Sequence, residues 1–120
     1  MRAVNADAKA DIVAEIEAIL KEKNSRSTQY FSVYKKTNLE TSHFRYAMSV
    51  GKKIGNAVTR NKYKRLISAV VSNLNIKLDL NVDVFIIARA KVIELDYNKI
   101  LKEIEYLFRK LNLLNQGEKK

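Results

Sequence analysis

Between residues 8 and 22 the apolar side chains Ile12, Ile16, Ile19 and Leu20 recur at spacings of four and three, while Glu15, Glu17, Lys21 and Glu22 fall elsewhere. That period puts the apolar set on one face and predicts an amphipathic helix. Gln29 to Tyr34 is dense in aromatic and β-branched residues and predicts a strand. A polar connection, Lys35 to Ser42, leads into a second predicted strand, His43 to Val50, expected to pair with the first as a hairpin. Gly51 to Asn56 forms a tight, basic loop in which two glycines let the backbone turn or approach another molecule closely. Ala57 to about Leu74 returns to a helical pattern, capped by Asn56 or Thr59. Asn81 to Ala88 is nearly all apolar, as expected of a central strand buried on both faces. Asp96 is placed to cap a last helix whose stripe of Tyr97, Ile100, Leu101, Ile104, Leu107, Phe108 and Leu111 is the strongest in the chain. Residues 1–7 and 115–120 are expected to be frayed ends. The order helix, two strands, helix, strand, helix predicts an α+β layer with helices packed on a small sheet.

Composition narrows the function. At 120 residues the chain is expected to form one domain, 1–120, with an ordered core of about 8–114. It has no cysteine, which excludes a disulfide scaffold, a Cys-ligated zinc site and a thiol nucleophile. Its one histidine, His43, excludes a His-rich metal site. The longest apolar run, Val84 to Ala88, is far short of the ~20 residues a membrane span needs. Met1 to Asp7 lacks the apolar core of a signal peptide, so a cytoplasmic protein is expected, with no membrane contact and no protein partner evident. The net charge of +10 points to a polyanion, most often nucleic acid.

The charge is concentrated. Arg45, Lys52, Lys53, Arg60, Lys62, Lys64 and Arg65 place seven cations and no acid within residues 45–65. Residues 1–24, with four basic and five acidic residues, are close to neutral. Unrolled at about 100° per residue from Arg60, Lys64 falls near 40°, Ser68 near 80°, Asn61 near 100° and Arg65 near 140°. Leu66, Val70, Tyr63, Leu74 and Ile67 fall between about 240° and 340°. One face can therefore dock on a sheet while the other presents cations beside the glycine-flanked loop. Arg can grip two phosphate oxygens, Lys adds a point charge, and Asn can bond a base edge or a 2′-hydroxyl. A charge run is ordinarily just a solvated helix face. Here the single sign, the lack of interleaved acids and the basic loop feeding in favour an RNA-binding face.

The run Ser49-Val50-Gly51-Lys52-Lys53-Ile54-Gly55-Asn56-Ala57-Val58-Thr59-Arg60-Asn61-Lys62-Tyr63-Lys64-Arg65-Leu66-Ile67 closely resembles the signature of the bacterial ribonuclease P protein family. His43-Phe44-Arg45, Phe85-Ile86-Ile87-Ala88-Arg89 and Leu95-Asp96-Tyr97 also resemble family positions, and the likeness covers roughly residues 12–114. The resemblance implies a two-layer α/β sandwich: a small mixed sheet of about four strands, three helices and a left-handed βαβ crossover, an exception to the usual hand. It implies the small subunit of the ribonucleoprotein that removes the 5′ leader from precursor tRNA. The catalytic RNA performs cleavage with Mg²⁺ held mainly by RNA, and the protein has no cofactor and no catalytic side chain of its own. By the same resemblance Lys53, Arg60, Asn61, Lys64 and Arg65 face the catalytic RNA, with Lys52 in the same loop and Arg45 and Lys62 adding to the basic surface. A cleft between the first helix and the sheet, taking in Ile16, Leu20, Phe31 and Tyr34, would pass the leader, with Tyr34 as a stacking platform.

The sequence also departs from the family pattern. Ser68 stands where another Arg is usual, removing one phosphate contact. Ile16 and Leu20 replace aromatics and lack a π face for stacking, Lys23 replaces a helix-ending Gly, and Ala10-Asp11-Ile12 replaces a basic lead-in. Other chemistry has little support. Gly51 to Gly55 lacks the Gly-Lys-Ser/Thr of a P-loop. His43 is a lone imidazole, Asp96 is explained as a cap beside Glu94, and no acids converge in the basic region to hold a catalytic metal. The alternative to a ribonuclease P subunit is a generic or divergent RNA-binding or chaperone module on the same fold, without leader recognition.

Overall fold

The computed structural model describes residues 3–5, 25–37 and 43–115. The predicted first helix, with Ile16 and Leu20, lies outside the described residues. Among the described residues five strands are present: β1 (Ala3–Asn5), β2 (Ser25–Ser27), β3 (Phe31–Thr37), β4 (Arg45–Val50) and β5 (Val82–Ala88). Among the described residues there are two α-helices, α1 (Ala57–Asn73) and α2 (Tyr97–Lys110), each preceded by a short 3₁₀ turn, Lys52–Ile54 and Ala90–Glu94. The five strands form one mixed sheet in the order β1-β4-β5-β3-β2.

The expected hairpin between the first two long strands does not form. β5 lies between them, antiparallel to β3 with Tyr34 opposite Phe85, and parallel to β4 with Ala47 opposite Phe85. The reason is burial. Six of the seven residues of β5 are buried, so the strand needs neighbours on both edges and cover on both faces. β3 and β4 each carry a more polar face and suit flanking places. The parallel β4–β5 pair then requires a crossover, which α1 supplies.

Two short strands escaped the hydrophobic pattern. Ser25–Ser27 pairs antiparallel with β3, and Ala3–Asn5, in the segment expected to fray, pairs parallel with β4. Three residues are too few to show an alternation. Boundaries shifted as well. Lys35, Lys36 and Thr37 belong to β3 rather than to a connection. Tyr30 precedes β3, in a turn where Thr28 Oγ1 accepts from the backbone N–H of Tyr30 and Phe31 at 3.2 and 3.3 Å.

Strand alternation separates the two faces of the sheet. Phe31, Val33, Tyr46, Met48, Val50, Val82, Val84 and Ile86 join α1 and α2 in the main core. The helical stripe is as expected: Ile100, Ile104, Leu107 and Phe108 of α2 are completely buried. Each such side chain contributes roughly 1.5–3 kcal/mol. Ala47 and Phe85 form a second, smaller cluster with Tyr34 and Ile87. Asp83, the one acid in β5, is 7% exposed and receives two bonds of 2.8 Å from Arg45 Nε and Nη2 directly across the ladder. This fork makes the burial of a carboxylate tolerable.

Helix α2 ends in a way the sequence left unread. Asn112 adopts a φ of 61°, and the backbone N–H groups of Asn112 and Leu113 return to Arg109 and Phe108 carbonyls at 3.1 and 2.9 Å. This is a Schellman stop with Asn in the left-handed place. Lys35 Nζ donates to the Leu111 carbonyl at 2.7 Å, adding a cation where the helix dipole is negative. Burial, and then the neighbouring charge of Lys77, lowers the Lys35 pKa below its ordinary value.

Truncating Phe108, which meets the Phe44 ring edge-on at 6.3 Å, is expected to cost about 3–5 kcal/mol in urea unfolding. Tyr106→Ala, at a side chain 49% exposed, should change stability by no more than about 0.5 kcal/mol. Equal effects would contradict this assignment of the core.

Candidate nucleic-acid interface

The basic loop is a 3₁₀ turn anchored by one apolar residue. Ile54 is buried, while Lys52 and Lys53 beside it are exposed. Backbone N–H groups of Ile54 and Gly55 donate to Gly51 and Lys52 carbonyls at 3.1 and 3.2 Å. Gly55 then turns at a φ of 155°, and a Cβ there would stand 2.9 Å from the Thr59 side chain. Only glycine fits this joint. Gly51, at a φ of −84° and with open space where a Cβ would be, has no such constraint. Asn56 follows as the N-cap, its Oδ1 accepting from Thr59 N–H at 3.0 Å, so of the two expected caps Asn56 is the one used.

Helix α1 thus starts directly behind two exposed lysines, with no acid in its first turn. Its unpaired N–H groups and dipole favour anions at that end. Asn61, Lys62 and Arg65 are exposed. Lys62 Nζ lies 5.6 Å from the centroid of the Tyr63 ring, and Tyr63 in turn donates to the Ile93 carbonyl at 3.3 Å. Tyr63, Ile67, Val70 and Val71 are buried.

The burial of Val71 turns the helix from the expected setting. On the wheel Val71 falls near 20°, between Arg60 and Lys64, so those two occupy the shoulder of the buried arc and are half-buried. The open cationic arc is centred instead on Asn61, Arg65 and Lys62. Arg60 pays for its place: its Nε is buried and has no hydrogen-bond partner. A buried N–H left without a partner costs roughly 1–3 kcal/mol. Val58, 75% exposed, lies among these cations, and the charge pattern gave no sign of it.

Arg45 does not join that arc. Its guanidinium is committed to Asp83 across the sheet, so it acts first as the partner of a buried acid.

Tyr34 is half-buried on the face of the second cluster, opposite Phe85 in the ladder. Ser32 lies on the same face, its Oγ accepting from Arg89 Nη2 at 2.7 Å. Phe31 is a correction. It is 0% exposed in the main core, because residues three apart in a strand point to opposite faces, and it offers no surface to a base. The same alternation would have drawn in Ser49 and Ile87, which the motif reading passed over.

Among the described residues no group of three or more His, Asp or Glu could hold a metal ion. None of the described helices is long and apolar enough to cross a membrane. A cation-bearing helix behind a glycine-jointed basic loop, packed on a sheet whose opposite face carries a half-buried Tyr, is the arrangement of an RNA-binding α+β subunit. A family model described as Ribonuclease P matches residues 12–112, and the chain belongs to that family as a ribonuclease P protein component.

Relatives agree. The ribonuclease P protein component of Bacillus mycoides (strain KBAB4) is 36% identical over 96 residues, 80% of this chain and 84% of its own length. The Staphylococcus aureus RNase P protein structure superposes with a TM-score of 0.78 at 32% identity, covering 96% of this chain and 99% of its own. The Thermotoga maritima RNase P protein gives a TM-score of 0.69 at 24% identity over 99% of this chain and 100% of its own, a likeness of fold.

Each phosphate contact contributes about 0.7–0.9 to the slope of log affinity against log salt. Arg60→Ala and Arg65→Ala are each expected to lower that slope by about this amount when binding to ribonuclease P RNA is titrated with salt. Tyr106→Ala should leave it unchanged. A second outcome concerns the joint: Gly55→Ala should lower the melting temperature and weaken RNA binding together, because the displaced Thr59 donates to the cap.

Proposed function

We propose that this protein docks on the catalytic RNA of ribonuclease P through the α1 face and the Lys52–Lys53 turn, and that the sheet face carrying Tyr34 guides the 5′ leader of precursor tRNA. The observation that carries this reading is the acid-free cationic arc joined to the basic turn by Gly55 and Asn56. As the protein subunit of an endoribonuclease that matures tRNA 5′ ends, it supplies binding and position. Cleavage is the work of the RNA. In this reading the Mg²⁺ of the holoenzyme is held by the RNA. Work in the cytoplasm, where bacterial tRNA precursors are made, follows from the same reading.

On the sheet face Tyr34 supplies a ring that can stack on a leader base in a sequence-tolerant way. Ser32 and Arg89 add a polar edge on that face. The two surfaces act on different steps. The α1 face sets affinity for the catalytic RNA, and the sheet face sets preference for precursor over mature tRNA.

The test is 5′-leader cleavage of a precursor tRNA by bacterial ribonuclease P RNA at low Mg²⁺, with and without the protein. Stimulation by the wild type is expected. Tyr34→Ala should cost about 1–3 kcal/mol of precursor affinity while leaving affinity for the catalytic RNA unchanged. Tight binding to many RNAs without stimulation would instead identify a general RNA-binding module.

A further inference from the structure

At the far end of α1 from the basic turn, the molecule has a second concave surface. The helix has 17 residues, so at about 1.5 Å per residue this surface lies roughly 25 Å along the axis from the cap. Its volume is about 430 Å³, within the range of ligand sites. The half-buried side chains of Leu74, Leu101 and Leu114 are its apolar part, and Asn73, Asn75 and Asn115 supply carboxamides. Lys77 and Arg109 bring two cations against one acid, Glu105.

The construction is ordered. Asn112 turns the chain after α2 so that Leu114 bridges to Ile76. Asn115 then bonds Asn75 twice, backbone N–H to carbonyl at 2.9 Å and Nδ2 to Oδ1 at 3.0 Å. Asn115 Nδ2 also reaches the Ile76 carbonyl at 3.3 Å. Both carboxamides are on exposed residues that line the pocket, and a carboxamide carries the donors and the acceptor that a nucleobase edge can pair with. The leucines can pack on a base face. The charge is also unbalanced: Lys77 is close enough to Lys35 to help lower its pKa, and Arg109 meets Glu105 at 3.3 Å with 64% of its side chain exposed.

We propose that this pocket between the end of α1 and the end of α2 binds one nucleotide of single-stranded RNA, with the Asn75–Asn115 pair on the base edge and Lys77 and Arg109 at the phosphate. This rests on the reading of the chain as an RNA-binding subunit and adds a contact remote from both surfaces described above. The experiment uses the full chain, with adenosine 5′-monophosphate and inorganic phosphate as probes and the side-chain amide resonances of Asn75 and Asn115 as the readout. Saturable shifts with the nucleotide are expected in the wild type and equally in Arg60→Ala/Arg65→Ala. Lys77→Ala/Arg109→Ala should weaken the nucleotide by about tenfold with the core methyl resonances of Ile86 and Leu107 unmoved. Shifts confined to the basic turn or the Tyr34 face would overturn the proposal. So would an equal response to phosphate alone, which would make the pocket a simple anion site. Leader cleavage is measured separately: failure of the wild type to stimulate it strikes the proposed function, whereas loss of the nucleotide response strikes only the pocket.

Discussion

A strand apolar on both faces has to be covered on both, and Val82–Ala88 imposes that demand on every other element. Its two edges recruit β3 and β4, which is why neighbours in sequence are not neighbours in the sheet. One face takes α1 and α2, and the Ala47–Phe85 cluster marks the other. The single polar intrusion, Asp83, is matched from the flanking strand by Arg45, so the demand extends even to one of the basic residues. What remains for nucleic acid is what the central strand did not need.

This explains the division of labour among the cations. Lys52, Lys53, Lys62 and Arg65 project into solvent, Arg60 and Lys64 are drawn toward the core, and Arg45 is consumed in the sheet. Like charges packed closely on one surface repel, and that cost is not recovered within the protein. It is recovered when phosphates arrive. The cationic face is therefore a source of affinity and a modest burden on the free subunit, with the buried Arg60 Nε as its most local expression.

The sequence was legible where a pattern was long or chemically unambiguous. The amphipathic stripe of α2, its Asp96 N-cap and the apolar central strand could all be read directly, and so could the basic loop-and-helix signature, while the cap of α1 stayed open between Asn56 and Thr59. Strand order could not. Hydrophobic alternation in Phe31–Tyr34 and Tyr46–Val50 states which residues share a face, and says nothing of which strand lies beside which. Parity within β3 does separate Phe31 from Tyr34, and it removes Phe31 from the cleft that the family resemblance implies. Val71 and Asn112 were missed for a different reason. The rotation of a helix about its own axis, and a single left-handed residue, are settled by tertiary packing and leave almost no local trace.

The position of β5 also governs when the chain can fold during synthesis. β3 and β4 emerge from the ribosome well before Val82–Ala88, yet their main pairing edges are to that strand and not to each other. Pairings this distant in sequence are slow to form and leave exposed edges while they wait. The nascent chain therefore carries its basic segment before it has a sheet to support it. Folding and exposure to RNA begin in the same interval, and the completed central strand closes it.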